Sequence, residues 1–176
     1  MRHNLLSPLI AAACSLFVAQ SALASDGTIN FIGEISAQTC TINGGSSSLT
    51  VVMPTVSASA LPVGTTSGHT VFSIQLTDCD LATGNVHTFF ESGPAVDTVS
   101  GRLNNISGNA TGVQIVLKNQ DDTDIKVGFA DNAQNSQSFA ITANAATLLY
   151  TAAYYASGTV GAGTVGSNVT YSLVYE

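Results

Sequence analysis

The chain has 176 residues, of which 45% are hydrophobic and only 9% charged, with a net charge of −7. Average chains carry about 25% charged residues, yet the hydrophobic share is too high for a disordered chain, so this is a composition for sheets with a neutral polar outer face. Beyond Arg2 the basic residues are Arg102, Lys118 and Lys126, and three scattered cations cannot displace counterions from a phosphate backbone, which excludes nucleic acid as a partner.

Met1, Arg2 and His3 precede an apolar run from Leu5 to Val18, and Ala22-Leu23-Ala24 follows. A basic tip, a short apolar core and an A-x-A site read as a secretory signal peptide over residues 1–24. The core is about 14 residues, too short to span a bilayer comfortably, and no later stretch is apolar enough to be a second span. Ala11-Ala12-Ala13-Cys14 has the small residues of a lipoprotein site. But Leu is absent three residues before Cys14, and the apolar run continues through Leu16, Phe17 and Val18. The expected mature chain therefore has no membrane anchor. It has 152 residues, a one-domain length with room for a real core.

Period-two patterning begins at once. Thr28–Ile35 places Ile29, Phe31, Gly33 and Ile35 on one face, an apolar, β-prone segment where termini are usually polar and frayed. It is either the first strand of its own sheet or a strand seeking another sheet's edge. Cys40 and Cys79 are the two cysteines left after the signal. In an oxidising compartment they pair, the alternative being two buried free thiols.

Further strands are predicted at Leu49–Met53, stopped by Pro54, then at Val71–Leu76 and Val86–Phe90. Gly112–Leu117 places Val113, Ile115 and Leu117 on one face, and Ile125–Val127 follows a turn at Asn119–Asp124. Ala146–Tyr155 and Val169–Tyr175 are the last two strands. Gly44-Gly45, Gly93-Pro94, Ser107-Gly108-Asn109 and Gly158–Gly166 read as turns and loops. Ala133–Ala146 has room for a helical turn, but its pattern commits to none. Short strands at this spacing without a 3.6-residue period predict an all-β sandwich.

Nothing here assembles a catalytic or metal constellation. G-x-S-x-G, P-loop and H-E-x-x-H motifs are absent, and His69 and His87 have no obvious nucleophile partner and no cysteine at ligand spacing. Read as a calcium loop from Asp122, the sixth and twelfth positions hold Val127 and Ala133, where an EF-hand needs Gly and Glu, so Asp121–Asp124 reads as a solvated turn. Asn105, Asn109 and Asn168 each open an N-x-[ST] triplet, read as chance matches. No enzyme activity, cofactor or metal is expected.

Four features in order resemble the chaperone–usher pilins, in particular type 1-like fimbrial subunits. They are Gly27–Ile35 just after the signal, Cys40 followed by Phe72–Cys79, Gly112–Leu117 in the middle, and an ending with Tyr175 penultimate and Gly163 fourteenth from the end. The likeness covers residues 25–176. It implies an incomplete immunoglobulin-like β-sandwich over residues 37–176, lacking its last strand, and a donor-strand extension over residues 25–36. Donor-strand complementation by such a segment is one of the handed-strand modes of peptide recognition.

By the same resemblance, Gly27, Ile29, Phe31, Gly33 and Ile35 are the donor positions, with Gly33 where the groove has no room for a side chain. Gly163, Val169, Tyr171, Leu173 and Tyr175 contact the chaperone and line the groove. The implied partners are neighbouring pilin subunits in a homo- or hetero-polymer, a periplasmic chaperone and an outer-membrane usher. The implied location is the cell surface, in a fimbrium supporting adhesion. With only Ser25 and Asp26 before Gly27, the arm is short, which leaves open a minor, adaptor or tip pilin that binds a host ligand directly. The extra lectin domain of a two-domain adhesin does not fit in 152 residues.

Overall fold

Two antiparallel sheets face each other across an apolar core in the computed structural model, which describes residues 39–176. The segments assigned above as signal peptide (1–24) and donor strand (25–36, with Gly27, Ile29, Phe31, Gly33 and Ile35) lie outside the described residues. The strands are β1 Thr41–Ile42, β2 Thr66–Thr77, β3 Thr83–Phe90, β4 Leu103–Asn104, β5 Thr111–Lys118, β6 Asp124–Ile125, β7 Ser138–Thr142, β8 Ala146–Gly161 and β9 Tyr171–Tyr175. A four-residue helix, α1, spans Asp131–Gln134.

The larger sheet has the order β1-β2-β8-β5-β4, with β6 also pairing β5, and the smaller has the order β7-β3-β9. Alternation places one face of each strand inward. Ile74, Leu76, Leu117, Leu148, Tyr150 and Ala152 from the larger sheet meet Val86, Phe90 and Ile141 from the smaller. Tyr150 is the hub. It is 1% exposed, and its ring lies 5.8 Å from Phe72, 5.4 Å from Phe90 and 5.6 Å from Phe139. Its hydroxyl accepts the Thr88 amide at 3.3 Å, which gives the buried phenol a partner.

Most predicted strands are present and several are longer than the pattern indicated. The Gly158–Gly166 stretch, read as a loop, instead carries β8 on to Gly161, paired with Thr111. Glycine makes this possible: Gly112 has φ +65°, and a Cβ there would lie 2.3 Å from the Thr159 carbonyl oxygen. The unassigned Ala133–Ala146 stretch overlaps the end of α1 and contains β7, whose short exposed pattern gave no period to read. Leu49–Met53, predicted as a strand, has no ladder partner among the described residues. It keeps the alternation of a strand without the pairing.

The polar features are structural. Lys118 Nζ lies 3.1 Å from Asp122 and 3.1 Å from Asp124 and donates to the Asp122 carbonyl at 2.8 Å. A lysine therefore occupies the place a cation would take beside that acidic turn. Burial acts to lower its pKa, but the hydrogen bonds to Asp124 and Asp122 outweigh it and hold the ammonium above its ordinary value. His87 sits between Asp131 at 2.8 Å and Glu176 at 2.9 Å, joining β3 to α1 and to the chain end. Ser138 bonds the Glu176 carboxylate. Asn105 and Asn109, at the head of N-x-[ST] triplets, are both engaged in the bonds that tie residues 105–110 to Thr164 and Gly166.

Asp97 gives a testable pH dependence. Gln114, then the Val99 amide and Ser100, donate to its carboxylate and hold it at about 2. A carboxyl depressed in the folded state stabilises fully above the unfolded value of about 3.9, and loses that contribution as pH falls through the folded value. In an NMR titration Asp97 should remain ionised at about pH 3, and Gln114→Ala should move its midpoint up towards the ordinary carboxylate range. A wild-type midpoint already near the ordinary value would refute the assignment.

Candidate strand-acceptor groove

Between the sheets one side is open. In the smaller sheet β3 is central, so among the described residues β9 has a single strand neighbour and no partner on its second edge. Along that edge runs a groove of about 660 Å³. Val169, Tyr171, Leu173 and Tyr175 form one wall, each partly buried and packed on the core. Leu49, Val51 and Met53 form the opposite wall, and Phe72, Ile74, Phe90, Ile115 and Leu117 form the floor.

A second hollow of about 400 Å³ continues past Met53, between Pro54–Ala58 and Val160–Val165. Met53 lines both cavities. Gly163, predicted as a groove residue, lines this hollow and not the main groove. Its lack of a side chain has a local reason, since a Cβ would lie 2.5 Å from Asn109 Oδ1 and 2.6 Å from the Ala110 nitrogen.

One end of the groove is bordered by Cys40 of the disulfide. Cys40 and Cys79 are bonded at 2.02 Å, and Thr39 and Cys40 stand on the rim. Thr39 donates to Asp80 from both its amide and its hydroxyl, at 3.1 Å each. Burial raises the pKa of both Tyr171 and Tyr175, so both remain neutral hydroxyls well past physiological pH. At the near end the Ser167 hydroxyl is buried with no hydrogen-bond partner among the described residues.

The chemistry of this arrangement is that of an unfinished sheet. Among the described residues it offers β9 backbone groups without a strand partner, an apolar trough, and a facing segment with strand alternation but no ladder. Exposed edges and apolar clefts of this kind invite another strand. The resemblance named Val169, Tyr171, Leu173 and Tyr175 for a groove, and all four line this cavity. It missed Leu49, Val51 and Met53 as the other wall, although their alternation was visible, because nothing in a single sequence distinguishes a paired strand from an unpaired one. The predicted donor positions Gly27, Ile29, Phe31, Gly33 and Ile35 are not among the described residues.

Comparison with known proteins places this groove in context. A family model described as type-1 fimbrial protein, A, matches residues 53–176. The chain is 41% identical over 175 residues to the F17 fimbrial protein of Escherichia coli, covering 96% of this chain and 95% of that one. It is 43% identical over 164 residues to the major fimbrial subunit SMF-1 of Stenotrophomonas maltophilia, covering 89% and 96%. In fold it is similar to a solved chaperone–usher pilus structure, with a TM-score of 0.60 at 22% identity over 90% of this chain and all of the other. The chain belongs to the type-1 fimbrial protein A family and is a structural subunit of a bacterial fimbrium, carried to the cell surface.

Proposed function

We propose that this subunit polymerises by donor-strand exchange: residues 25–36 of one copy, or of a neighbouring pilin, fill the groove of the next. The chain divides accordingly into a signal peptide over 1–24, a donor extension over 25–36 and an acceptor domain over 37–176. A periplasmic chaperone occupies the groove first, and exchange takes place at an outer-membrane usher. The observation that carries the reading is the β9 edge, which has no strand partner among the described residues, beside an apolar trough. Gly27, Ile29, Phe31, Gly33 and Ile35 have the period-two spacing such a trough accepts.

The magnitudes are adequate. Burying Ile29, Phe31 and Ile35 contributes roughly 5–9 kcal/mol before ordering costs. Each ladder hydrogen bond adds about 0.5–1.5 kcal/mol net. Filling the groove also covers an edge that otherwise aggregates.

Deleting residues 25–35 tests the reading. The truncated chain should be exported and held by the chaperone, should accept a donor strand, and should fail to act as one. Electron microscopy of cells expressing it alone should show no filaments. Filaments of normal number and length from the truncated chain would defeat the proposal.

A further inference from the structure

We infer that Tyr171 is a positioning residue for strand exchange: by donating its hydroxyl across the groove to the Ser47 carbonyl, at 2.8 Å, it holds in place the wall that the incoming strand must meet. This rests on the donor-strand reading and adds to it how the acceptor edge is kept ready.

The two walls are unequal. β9 is fixed by its ladder with β3, in the register Phe90 to Tyr171 through Val86 to Tyr175. Among the described residues no backbone hydrogen bond joins Ser47–Val56 to any other element. Val51 and Met53 pack on the core, while Val52 is 81% exposed. Apolar packing sets depth but is non-directional. A hydrogen bond sets a distance and an angle. The Tyr171 ring starts from the ladder-fixed wall and its hydroxyl ends on the unladdered one, 124 residues away in sequence. It therefore fixes the spacing between the edges, and a strand inserted between them needs about 4.8 Å on each side.

Burial raises the Tyr171 pKa, so the hydroxyl remains a donor throughout the physiological range. With the wall held, an arriving strand finds its second edge already ordered and does not bear the cost of ordering it. Without the tie, only the fraction of molecules with the wall in place is competent, and the apparent association rate falls by that fraction.

The test uses Tyr171→Phe in the exported chain, with a synthetic peptide of residues 25–36 as probe. The ring and its packing are retained, and only the crossing bond is lost. Association should slow by about two- to fivefold, the range for one partly exposed hydrogen bond, with dissociation unchanged. NMR order parameters at Thr50, Val51 and Val52 should fall in the empty chain, and the difference should vanish once the peptide fills the groove. Amide exchange in β3 and β8 should not move, as it would if the loss were general destabilisation. An unchanged association rate overturns the inference, as does faster dissociation alone. If the wild-type chain binds no peptide, the donor-strand reading fails instead, and the order parameters at residues 50–52 still decide whether Tyr171 holds the wall.

Discussion

Replacing Cys40 and Cys79 together with Ser is expected to destabilise the domain by roughly 4 kcal/mol, the loop-closure value for a ring of this size. The bond links residues 39 apart, so reduction releases a long segment of the unfolded chain to explore space. At roughly 3–4 °C per kcal/mol for a domain of this length, the thermal midpoint should fall by about 10–15 °C. The measurement is thermal unfolding of the exported chain with its groove filled by the 25–36 peptide, oxidised against double mutant.

A local loss should accompany the global one. β1 has only two residues and one strand partner, in the register Thr41 to Thr77 and Ile42 to Leu76. Besides that short ladder and the Thr39–Asp80 bonds, the disulfide is what holds Cys40 against β2. Cys40 and Ile42 line the groove beside Tyr175. The double mutant should therefore bind the peptide more weakly than its stability alone explains, with the added loss confined to the donor positions at the Tyr175 end. A midpoint shift below about 3 °C would show that β1 and its neighbours hold the end unaided.

How much of this was legible beforehand follows from what each signal depends on. Val71–Leu76 and Gly112–Leu117 place apolar residues at every second position towards the core, and that pattern survives in a single sequence. The disulfide was legible from cysteine count and compartment. Pairing was not. Leu49–Met53 alternates as cleanly as any strand, yet its ladder is absent among the described residues. β8 runs through Gly158 because Gly112 on the facing strand lets the backbones approach closely, a property of two distant residues together. The groove was reached through resemblance, and only one of its walls was named. Tyr171 was identified as a wall residue, but its reach to Ser47 depends on the fold and on nothing local to either position.

Gln134 shows the same limit most sharply and carries the second large prediction. It lies in the stretch the sequence left unassigned, and it is fully buried, at 0% exposure. Its side-chain amide acts as a fragment of strand. Oε1 accepts the Phe90 amide at 2.7 Å, and Nε2 donates to the Phe90 carbonyl at 2.9 Å and to the Phe129 carbonyl at 3.3 Å. The β7 ladder on β3 stops at His87–Ser138, and Gln134 supplies the next backbone partner further along the same strand. Phe90 lines the groove and meets the Tyr150 ring edge to face. Gln134→Leu keeps the volume but leaves the Phe90 N–H without a partner in a buried site, which costs about 2–4 kcal/mol. Gln134→Glu retains the acceptor but turns a carboxylate towards two carbonyls. At neutral pH it should be at least as damaging as Leu, and in acid, where protonation restores one donor, it should recover part of the loss. Denaturant unfolding of the peptide-filled chain at neutral and acid pH, referenced to wild type at each, separates these outcomes. Gln134→Leu matching wild type would mean that the buried amide contributes shape alone, and that the hydrogen bonds to Phe90 are dispensable.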